Sequence, residues 1–461
     1  MTSAALGAPT LEGFSGELLT PESPAYDDAR RVANGAIDRR PAFIARARSA
    51  EDVAAALGFA RRHDLVVAVR GGGHSLPGHS VCDGGLVVDL TQMRAVQVDP
   101  ANRTAVVQPG VTWSELDAAT QEHGLACPGG EISHTGVAGL TLGGGIGWLT
   151  RMHGLACDNL LAVELVTAEG EVRRVDDDGD PELMWGLRGG GGNFGVVTAF
   201  TFRLHQVAPM LAGMALYPGD RRAEALHVFQ ELAGTAPREL SLETVLVTAP
   251  PAPFVPEELR GRPAVGLAGA YFGDPADGEH ALSPLRTTLG RPVLDTFGVT
   301  PYCALQQSAD GSAPWGMRSY VKSDFLGPLD HAGITGLVAG ADAFSNPQSH
   351  ILLRTLGGAM ADVAPDATAF VHRDAAHLLT VVGAWQTDDQ AQAQVDWART
   401  TWAATRHLAR GTYVNHLEAE GTERIREAYA DDTWRRLTAL KTRMDPENVF
   451  RHNQNVPPAG P

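Results

Sequence analysis

The segment RGGGHSLPGHS, residues 70–80, places three glycines and a histidine directly after an apolar run, 65–70, that has the pattern of a buried strand. Glycine lets a backbone approach a bound molecule closely, and successive backbone N–H groups form sites for phosphate. Two similar clusters follow, GVAGLTLGGGIGWL at 136–149 and GGNFGVVT at 191–198. One cluster is typical of a tight turn, whereas three clusters beside predicted strands favour a large phosphate-bearing cofactor.

Glycine is concentrated in this part of the chain. Of 52 glycines in 461 residues, 25 lie within the 125 residues from Gly71 to Gly195. The clusters end near residue 205, and the composition then changes, which predicts three regions: 1–205, 206–404 and 405–461. Local patterns predict helices over 50–63, 113–123 and 181–188, hairpins over 95–108 and 161–175, strands over 264–272, 350–356, 378–384 and 411–417, and a helix over 423–440.

The charge balance excludes one class of partner. The chain has 37 Lys and Arg against 54 Asp and Glu, a formal net charge of −17. Nucleic-acid binding depends on basic side chains that neutralise phosphates, so this balance argues against a nucleic-acid partner. With 44% hydrophobic residues, the chain can bury a large core.

Neither a membrane segment nor a metal site is indicated. No run of eighteen apolar residues occurs, and residues 1–13 lack the basic and apolar regions of a secretory signal, so we expect a cytoplasmic protein. The four cysteines are far apart and match neither a zinc-site spacing nor a disulfide framework. We expect them to be reduced and mostly buried: Cys82, Cys127, Cys157 and Cys303.

The third glycine cluster contains a match to the dinucleotide fingerprint G-x-G-x-x-G, at Gly190, Gly192 and Gly195. In nicotinamide-dependent dehydrogenases this fingerprint follows a strand and opens a helix, so that the pyrophosphate lies at the helix N-terminus. Here a predicted helix precedes the match and a predicted strand, 196–204, follows it. This order argues against an NAD-dependent dehydrogenase.

Residues 70–80 resemble the R-x-G-G-H-x-x-x-G-x-S signature of FAD-linked oxidases whose FAD domain is of the vanillyl-alcohol-oxidase, or PCMH, type, in the berberine-bridge-enzyme-like branch. The other two clusters, YVNH at 413–416 and DPENVFR at 445–451 match the same family in the same order. The resemblance implies a two-domain α+β fold. An FAD-binding domain over 1–205 is followed by a substrate domain over 206–404 built on an antiparallel sheet, and 405–461 return to the FAD domain.

The resemblance also implies which residues hold FAD. His74 would form a covalent bond from an imidazole nitrogen to the flavin 8α-carbon, a role that suits a neutral imidazole because it is nucleophilic near pH 7. Gly72 and Gly73 would leave room for the ring. The further residues that the resemblance assigns to FAD are Arg70, Gly71, Ser75, Ser80, Gly136, Gly139, Gly143, Gly144, Gly145, Val197, Asn415 and Asn455.

One departure from the family concerns a second flavin bond. Many relatives have a cysteine four residues before the glycine that corresponds to Gly136, and this chain has Ile132 there. Cys127 lies five residues earlier, an offset that needs a different loop path. We therefore expect a single covalent link at His74, as in the branch that resembles 6-hydroxy-D-nicotine oxidase. Thr135 replaces a valine that is frequent in oxidases of the family, and we expect reaction with O₂.

The candidates for the catalytic base lie in YVNH. Relatives with Tyr-x-Asn-Tyr place their base at the last position, which is His416 here, and an imidazole with an ordinary pKa near 6.5 can accept a proton at neutral pH. Two alternatives remain: His416 has only a structural role in the sheet, or Tyr413 is the base rather than a residue packed beneath the flavin. For His372 and Arg373 we favour a structural role that connects the substrate sheet to the flavin domain.

The function implied is that of an FAD-dependent oxidase. It would transfer hydride from a small organic substrate, such as an alcohol, an amine or a polycyclic secondary metabolite, to the flavin and pass the electrons to O₂ as H₂O₂. The alternative is a flavin-containing scaffold for a non-redox cyclisation or isomerisation, or a ligand-binding protein. Substrate identity and oligomeric state are left open by the motifs.

Overall fold

The computed structural model describes residues 11–460. Residues 1–10, on which most of the expectation about a secretory signal rests, and residue 461 lie outside the described residues. Across 11–460, no helix has both the length and the apolar character needed to cross a bilayer. In the same range, no group of three or more His, Cys, Asp or Glu side chains is arranged to hold a metal ion.

The first sheet has four strands in the order β1 (Glu17–Leu19), β2 (Phe43–Arg46), β4 (Leu86–Asp89) and β3 (Val67–Arg70). Two of its three strand pairings are parallel, β2 with β4 and β4 with β3. The predicted helix over 50–63 is confirmed as α2, which begins after Ser49, whose hydroxyl accepts a hydrogen bond from Asp52 N–H. Arg70 ends β3, so the segment 70–80 starts at the carboxyl end of a parallel strand, where ligands of α/β sheets bind. The elements are β1 (Glu17–Leu19), α1 (Tyr26–Ala29), β2 (Phe43–Arg46), α2 (Ala50–Arg62), β3 (Val67–Arg70) and β4 (Leu86–Asp89).

The second sheet is antiparallel, with five strands in the order β5-β6-β10-β8-β9. It contains both predicted hairpins and the strand after the third glycine cluster. Trp113, Phe200 and Phe202 are buried in its core. The elements of this part are β5 (Val96–Asp99), β6 (Thr104–Val107), α3 (Trp113–Gln121), β7 (Leu125–Ala126), α4 (Val137–Leu142), α5 (Thr150–His153), β8 (Leu160–Val166), β9 (Val172–Asp176), α6 (Pro181–Leu187), β10 (Val196–Arg203) and β11 (His205–Gln206).

A nine-stranded antiparallel sheet follows, in the order β15-β12-β14-β13-β18-β19-β17-β20 with β16 paired to β12. It confirms the expected antiparallel sheet of the second half. Helices α7, α10 and α12 pack against one face of the sheet. The elements are β12 (Met210–Pro218), α7 (Arg222–Thr235), β13 (Leu240–Thr248), β14 (Pro263–Tyr271), α8 (Pro275–Leu289), β15 (Leu294–Asp295), β16 (Gly298–Thr300), α9 (Tyr302–Gln307), β17 (Arg318–Leu326), α10 (His331–Asp342), β18 (His350–Thr355), α11 (Ala359–Asp362), β19 (His377–Trp385), α12 (Ala391–Ala403) and β20 (Ala409–Gly411).

The other face of this sheet lies against the glycine-rich half. Side chains alternate between the two faces of a strand, so Leu353 of β18 packs with the helices while Arg354 points to the opposite face. On that opposite face, Phe325 and Leu378 join a core cluster with Ile146 and Tyr413. The glycine loops and the sheet therefore enclose a shared interior.

The C-terminal part differs from the prediction. The predicted strand over 411–417 is wrong: β20 ends at Gly411, and Val414–His416 form a 3₁₀ turn, because Asn415 turns away from the sheet and donates to Leu140 O at 3.0 Å. The predicted helix over 423–440 is two helices, α13 (Thr422–Arg426) and α14 (Asp431–Met444). Tyr429 is buried between them and donates to Gly189 O at 3.2 Å.

Helix α14 brings the DPENVFR motif to the third glycine cluster. Lys441 is fully buried, and its ammonium donates to Asn193 O at 2.9 Å, to Phe450 O at 2.9 Å and to Asp445 Oδ2 at 2.6 Å. Asp445 also accepts hydrogen bonds from the backbone N–H groups of Val449 and Phe450. The motif is thus a turn whose ends, Asp445 and Phe450, are buried and held by Lys441, while Pro446 and Glu447 are exposed.

Candidate active site

The first two glycine clusters touch each other backbone to backbone. A Cβ atom at Gly136 would lie 2.5 Å from Gly72 N, and a Cβ at Gly72 would come closer still to Gly136. A Cβ at Gly71 would lie 2.9 Å from Pro109 O. The contact between the two loops therefore requires glycine at these positions. The sequence motif alone does not show this requirement.

The space beside this contact suits a polar cofactor such as FAD. Gly139 on α4 is exposed, and a Cβ there would meet nothing within 4 Å. Two buried polar atoms of the motif residues, Arg70 Nε and Asn455 Oδ1, have no hydrogen-bond partner within residues 11–460. Buried polar groups are normally paired. An open backbone and the unpaired donor Arg70 Nε fit a bound phosphate, and the acceptor Asn455 Oδ1 fits a hydroxyl or N–H group of the same cofactor.

Three further residues that the resemblance assigns to FAD, Ser75, Ser80 and Val197, lie in two parts of the fold. Ser75 Oγ accepts a hydrogen bond from His79 N–H at 3.0 Å and so closes the turn after His74. Ser80 is buried in the same loop, and Val197 is buried in β10 opposite Leu165. The structure thus puts both serines in one loop, and it puts Val197 in the second sheet.

The C-terminal YVNH segment, residues 413–416, packs against Gly143, Gly144 and Gly145. A Cβ at Gly144 would lie 2.9 Å from Phe370 and 3.4 Å from Tyr413, and Gly144 and Gly145 have φ of +130° and +88°, a region that favours glycine. The side chain of Asn415 fills the space that a Cβ at Gly143 would need. The second loop and the 3₁₀ turn are therefore built around each other.

His74 is held by a second histidine. His74 Nε2 lies 2.8 Å from His134 Nδ1, and the other ring nitrogen, Nδ1, lies 3.5 Å from Thr135 Oγ1. The exposed ring of Trp315 stands edge-on to His74 at 5.7 Å between centroids. Burial, followed by His134, lowers the pKa of His74 to about 4, so the imidazole is neutral at pH 7. The motifs assign no role to His134, and its place two residues before Gly136 is the signal that the sequence offers.

Tyr413 is hydrogen-bonded to the second glycine cluster, residues 136–149. Its hydroxyl oxygen accepts hydrogen bonds from Gly145 N–H and from Asn415 Nδ2, both at 2.9 Å. Burial raises the pKa of Tyr413 to about 12. The side chain is therefore a protonated phenol at pH 7 that holds the loop and Asn415 in place.

His416 lies where the 3₁₀ turn meets the sheet. Its Nδ1 is 3.3 Å from Ser323 Oγ on β17 and 3.4 Å from Thr380 Oγ1 on β19, and its ring is 4.9 Å from that of Tyr413. Burial, with a smaller effect of Arg354, lowers the pKa of His416 to about 3. The structure therefore provides an unprotonated imidazole on the face that looks toward the glycine loops.

Two charged side chains on that face and a third on the facing loop were not identified from the sequence. Arg354 on β18 forms ion pairs with Glu243 on β13 and with Glu131 in the loop before His134. Strand register brings Arg354 directly opposite Glu243. No local sequence signal marks this cluster, because the two strands are 111 residues apart and their pairing depends on the whole sheet.

Cys127 lies in a different place from His74. The thiol is fully buried in the core with Trp113 and Leu116, and burial raises its pKa well above the ordinary range. Ile132, at the position where many relatives have cysteine, is half-buried.

His372 and Arg373 make structural contacts. His372 Nε2 lies 3.0 Å from Ala428 O, and Arg373 forms a bidentate ion pair with Asp158, at 2.7 and 2.8 Å. Arg373 also donates to Phe370 O and Thr368 Oγ1. These bonds connect the segment before β19 to the glycine-rich half, in agreement with the structural role favoured above.

Two family descriptions match the chain. The FAD binding domain matches residues 41–176, and the segment described as berberine and berberine like matches residues 412–457. The first match contains both loops that meet at Gly72 and Gly136. The second contains Tyr413, Asn415 and His416.

The chain is also similar, over almost its whole length, to proteins named as oxidases. (R)-6-hydroxynicotine oxidase of Paenarthrobacter nicotinovorans is 33% identical over 97% of this chain and 98% of that protein. The crystal structure of 6-hydroxy-D-nicotine oxidase from Arthrobacter nicotinovorans has a TM-score of 0.89 and 29% identity, covering 98% of this chain and 100% of that chain. Glucooligosaccharide oxidase from Acremonium strictum, which carries a 6-S-cysteinyl, 8α-N1-histidyl FAD, has a TM-score of 0.85 and 25% identity over 97% and 98% of the two chains.

Proposed function

The chain belongs to the berberine-bridge-enzyme-like FAD-linked oxidoreductases, and from that premise we propose that it is an oxidase with a single covalent FAD link at His74. The substrate is a small organic molecule that loses hydride from a carbon beside nitrogen or oxygen, and O₂ accepts the electrons as H₂O₂. The observation that carries the proposal is the neutral, hydrogen-bonded imidazole of His74 where the two glycine loops meet.

The residues present account for how FAD is held. Bound FAD supplies a two-electron acceptor for hydride. The exposed backbone at Gly139 and Arg70 Nε would provide donors, Asn455 Oδ1 would provide an acceptor for a hydroxyl or N–H group of FAD, and Tyr413 holds the loop through Gly145 N–H. Phosphates bind to such backbone and side-chain donors, so the negative net charge of the chain does not oppose binding.

His134 prepares His74 for attachment. When His74 Nε2–H donates to His134 Nδ1, the lone pair remains on His74 Nδ1, the nitrogen that faces Thr135. Glucooligosaccharide oxidase has both a histidyl and a cysteinyl bond to FAD. The cysteinyl bond has no counterpart in our proposal, because Ile132 cannot form it and the Cys127 thiol is buried in the core.

His416 is the proton acceptor in this proposal. A base must be unprotonated and within reach of the substrate proton. Burial lowers the pKa of His416 to about 3, which keeps its imidazole neutral and makes it a weaker base than an exposed histidine. The hydroxyls of Ser323 and Thr380 orient the ring. Tyr413 is assigned to positioning, since its hydroxyl already accepts two hydrogen bonds and its pKa is raised.

Acid precipitation and a peroxide assay test the proposal. We expect yellow flavin to stay with precipitated wild-type protein and to pass into the supernatant for His74→Ala, while Cys127→Ala behaves as wild type. A panel of amines, alcohols, sugars and phenolic polycycles is then screened for H₂O₂ release. Flavin recovered entirely in the wild-type supernatant contradicts the covalent link, and a ligand that binds without ever reducing the flavin favours the non-redox alternative.

A further inference from the structure

Residues 310–317 cross from the second half of the chain to the loops that carry His74 and His134. The segment lies between α9 and β17. The Asp310 carboxylate accepts hydrogen bonds from the backbone N–H and from the hydroxyl of Ser133, both at 2.7 Å. Because Ser133 directly precedes His134, this end of the segment is fixed beside the second histidine of the pair.

The other end of the segment is bound to Ala33. Gly316 N–H donates to Ala33 O at 2.8 Å, and a Cβ at Gly35 would lie against Gly316 O. Ala33 N–H in turn donates to Gly73 O at 3.0 Å, and Gly73 directly precedes His74. Each end of the segment is therefore connected to the chain neighbour of one histidine, directly at one end and through Ala33 at the other.

Trp315 lies between these two attachment points, with its ring against the histidine pair. Its ring centre is 5.7 Å from that of His74 and 6.3 Å from that of His134, edge-on in both cases. Aromatic rings in contact have centres about 4.5–7 Å apart. A Cβ at Gly73 would lie 3.3 Å from the indole. The indole thus packs on the first glycine cluster and on the side chain to which we assign the flavin bond.

The other side of the Trp315 ring faces the surface. Trp315 is 47% exposed, and it lines a surface cavity of about 330 Å³ together with Trp385 and Gln386. The ring therefore lies between the histidine pair and solvent. Large aromatic side chains contribute most when their area is buried, so a half-exposed indole beside a cofactor motif is suited to contact with a ligand.

We propose that the 310–317 segment forms the outer wall of the FAD site and that Trp315 packs against the flavin at the edge attached to His74. A flavin bonded to a nitrogen of His74 begins within one covalent bond of a ring that Trp315 already contacts. Asp310 is a positioning residue, because it acts on this contact through Ser133. The inference rests on the proposed function in one respect, the attachment of FAD at His74.

The affinities for FAD and for ADP test the contact in the His74→Ala background, in which FAD is not attached and can be removed and added back. ADP contains the adenosine and pyrophosphate parts of FAD but lacks the flavin ring. We expect Trp315→Leu to weaken FAD binding about two- to tenfold, the equivalent of one aromatic pair, and to leave ADP binding unchanged. Trp315→Phe keeps an aromatic ring, and we expect it to retain more of the FAD affinity. Titration calorimetry measures both affinities.

Trp397→Leu is the matched control. Trp397 donates to Gly340 O among the helices on the opposite face of the large sheet, so we expect both affinities to stay as they are. Asp310→Ala removes both hydrogen bonds to Ser133. We expect this variant to lose FAD affinity and to keep ADP affinity, as Trp315→Leu does, because the segment that carries the indole is released.

The absorption spectrum of the covalent holoenzyme gives a second measurement, which does not need the His74→Ala background. We expect the flavin bands to shift in Trp315→Leu and to be unchanged in Trp397→Leu, because only the first substitution alters the surroundings of the flavin.

Three results overturn the inference. They are an unchanged FAD affinity in Trp315→Leu, an equal loss of FAD and ADP affinity in that variant, and, if His74→Ala does not fold, identical flavin spectra of the Trp315→Leu and wild-type holoenzymes. Flavin released from wild-type protein by acid contradicts the covalent link instead, and the same titrations with the wild-type and Trp315→Leu proteins then decide on the contact.

Discussion

At the scale of single residues, the site depends on side chains whose charge is set by burial. His74 and His416 are both neutral at pH 7, with pKa values lowered to about 4 and about 3. Each has a fixed orientation: His74 through His134, and His416 through Ser323 and Thr380. A neutral, oriented imidazole can act as a nucleophile or as a base. We assign the first role to His74, in the first glycine cluster, and the second to His416, on the face of the large sheet.

His134→Ala removes the atom that lies 2.8 Å from His74 Nε2. We expect FAD to bind but to become attached about 10²-fold more slowly, in the range that a positioned proton acceptor contributes. The measurement is the fraction of flavin that stays with acid-precipitated protein as a function of time after FAD is added. His153→Ala is the control, because its ring stacks on His205 and not on His74. An identical time course for both variants removes His134 from attachment.

His416→Phe tests the base. We expect the rate of flavin reduction by substrate to fall by about 10²–10⁴, the usual contribution of a general base. In the wild-type protein the His416 pKa of about 3 means that the base stays active from pH 8 down to about 5 and is lost only as pH falls further. Stopped-flow reduction under anaerobic conditions gives both the rate and its pH profile. A reduction rate equal to that of wild type assigns His416 to a structural role.

At the scale of elements, contacts between loops determine where the cofactor site forms. The loops of residues 70–80 and 136–149 meet at Gly72 and Gly136, and the 3₁₀ turn Val414–His416 closes over the second loop through Asn415. These loops come from distant parts of the chain. Their glycines serve packing between elements as much as access to a ligand.

Gly72→Ala places a methyl group against the backbone of Gly136. We expect the free energy of unfolding to fall by about 1–3 kcal/mol, the range for overpacking a tight contact. We also expect the flavin content to be reduced. Urea denaturation and the absorbance ratio of flavin to protein measure the two effects. Gly234→Ala in α7 is the control, since a Cβ there meets nothing within 4 Å. Equal stability of the two variants contradicts the packing role of Gly72.

Local sequence patterns predicted the elements better than the contacts between them. The helix after Ser49 and the strand after Gly195 were predictable because caps and alternation are local signals. The strand predicted over 411–417 does not form, because Asn415 donates a hydrogen bond to Leu140 O, which is distant in sequence, and so lies outside the sheet. Motifs located His74 and His416, whereas Glu131, Arg354 and Glu243 carry no motif and meet only through sheet register and loop packing.

At the scale of the whole molecule, buried histidines make stability depend on pH. Apart from His74, six histidines have pKa values lowered to about 3–4, mainly by burial: His79, His153, His205, His372, His377 and His416. Each favours the folded state above its unfolded pKa near 6.5 and loses that contribution as pH falls toward its folded pKa. Three buried carboxyl groups act in the opposite direction but are fewer: burial raises the pKa of Asp117 and Glu418 to about 7 and that of Glu243 to about 8.

We therefore expect the melting temperature to be highest near pH 7 and to fall between pH 6.5 and pH 4. Differential scanning calorimetry across this range measures it. His377→Gln reduces the number of groups that take up a proton on unfolding, so the slope of stability against pH becomes shallower in this variant. A melting temperature that rises as pH falls from 6.5 to 5 contradicts the expectation.

The buried ammonium of Lys441 has a consequence for how the protein is made. It binds backbone oxygens of Asn193 and Phe450, and Asn415 occupies the space beside Gly143. Asn415 is synthesised roughly 270 residues after Gly143, and Lys441 248 residues after Asn193. At a translation speed of about 5–20 residues per second, the second and third glycine clusters wait for tens of seconds before these partners emerge. We therefore expect flavin capture to be a late event that follows synthesis of the C-terminal segment.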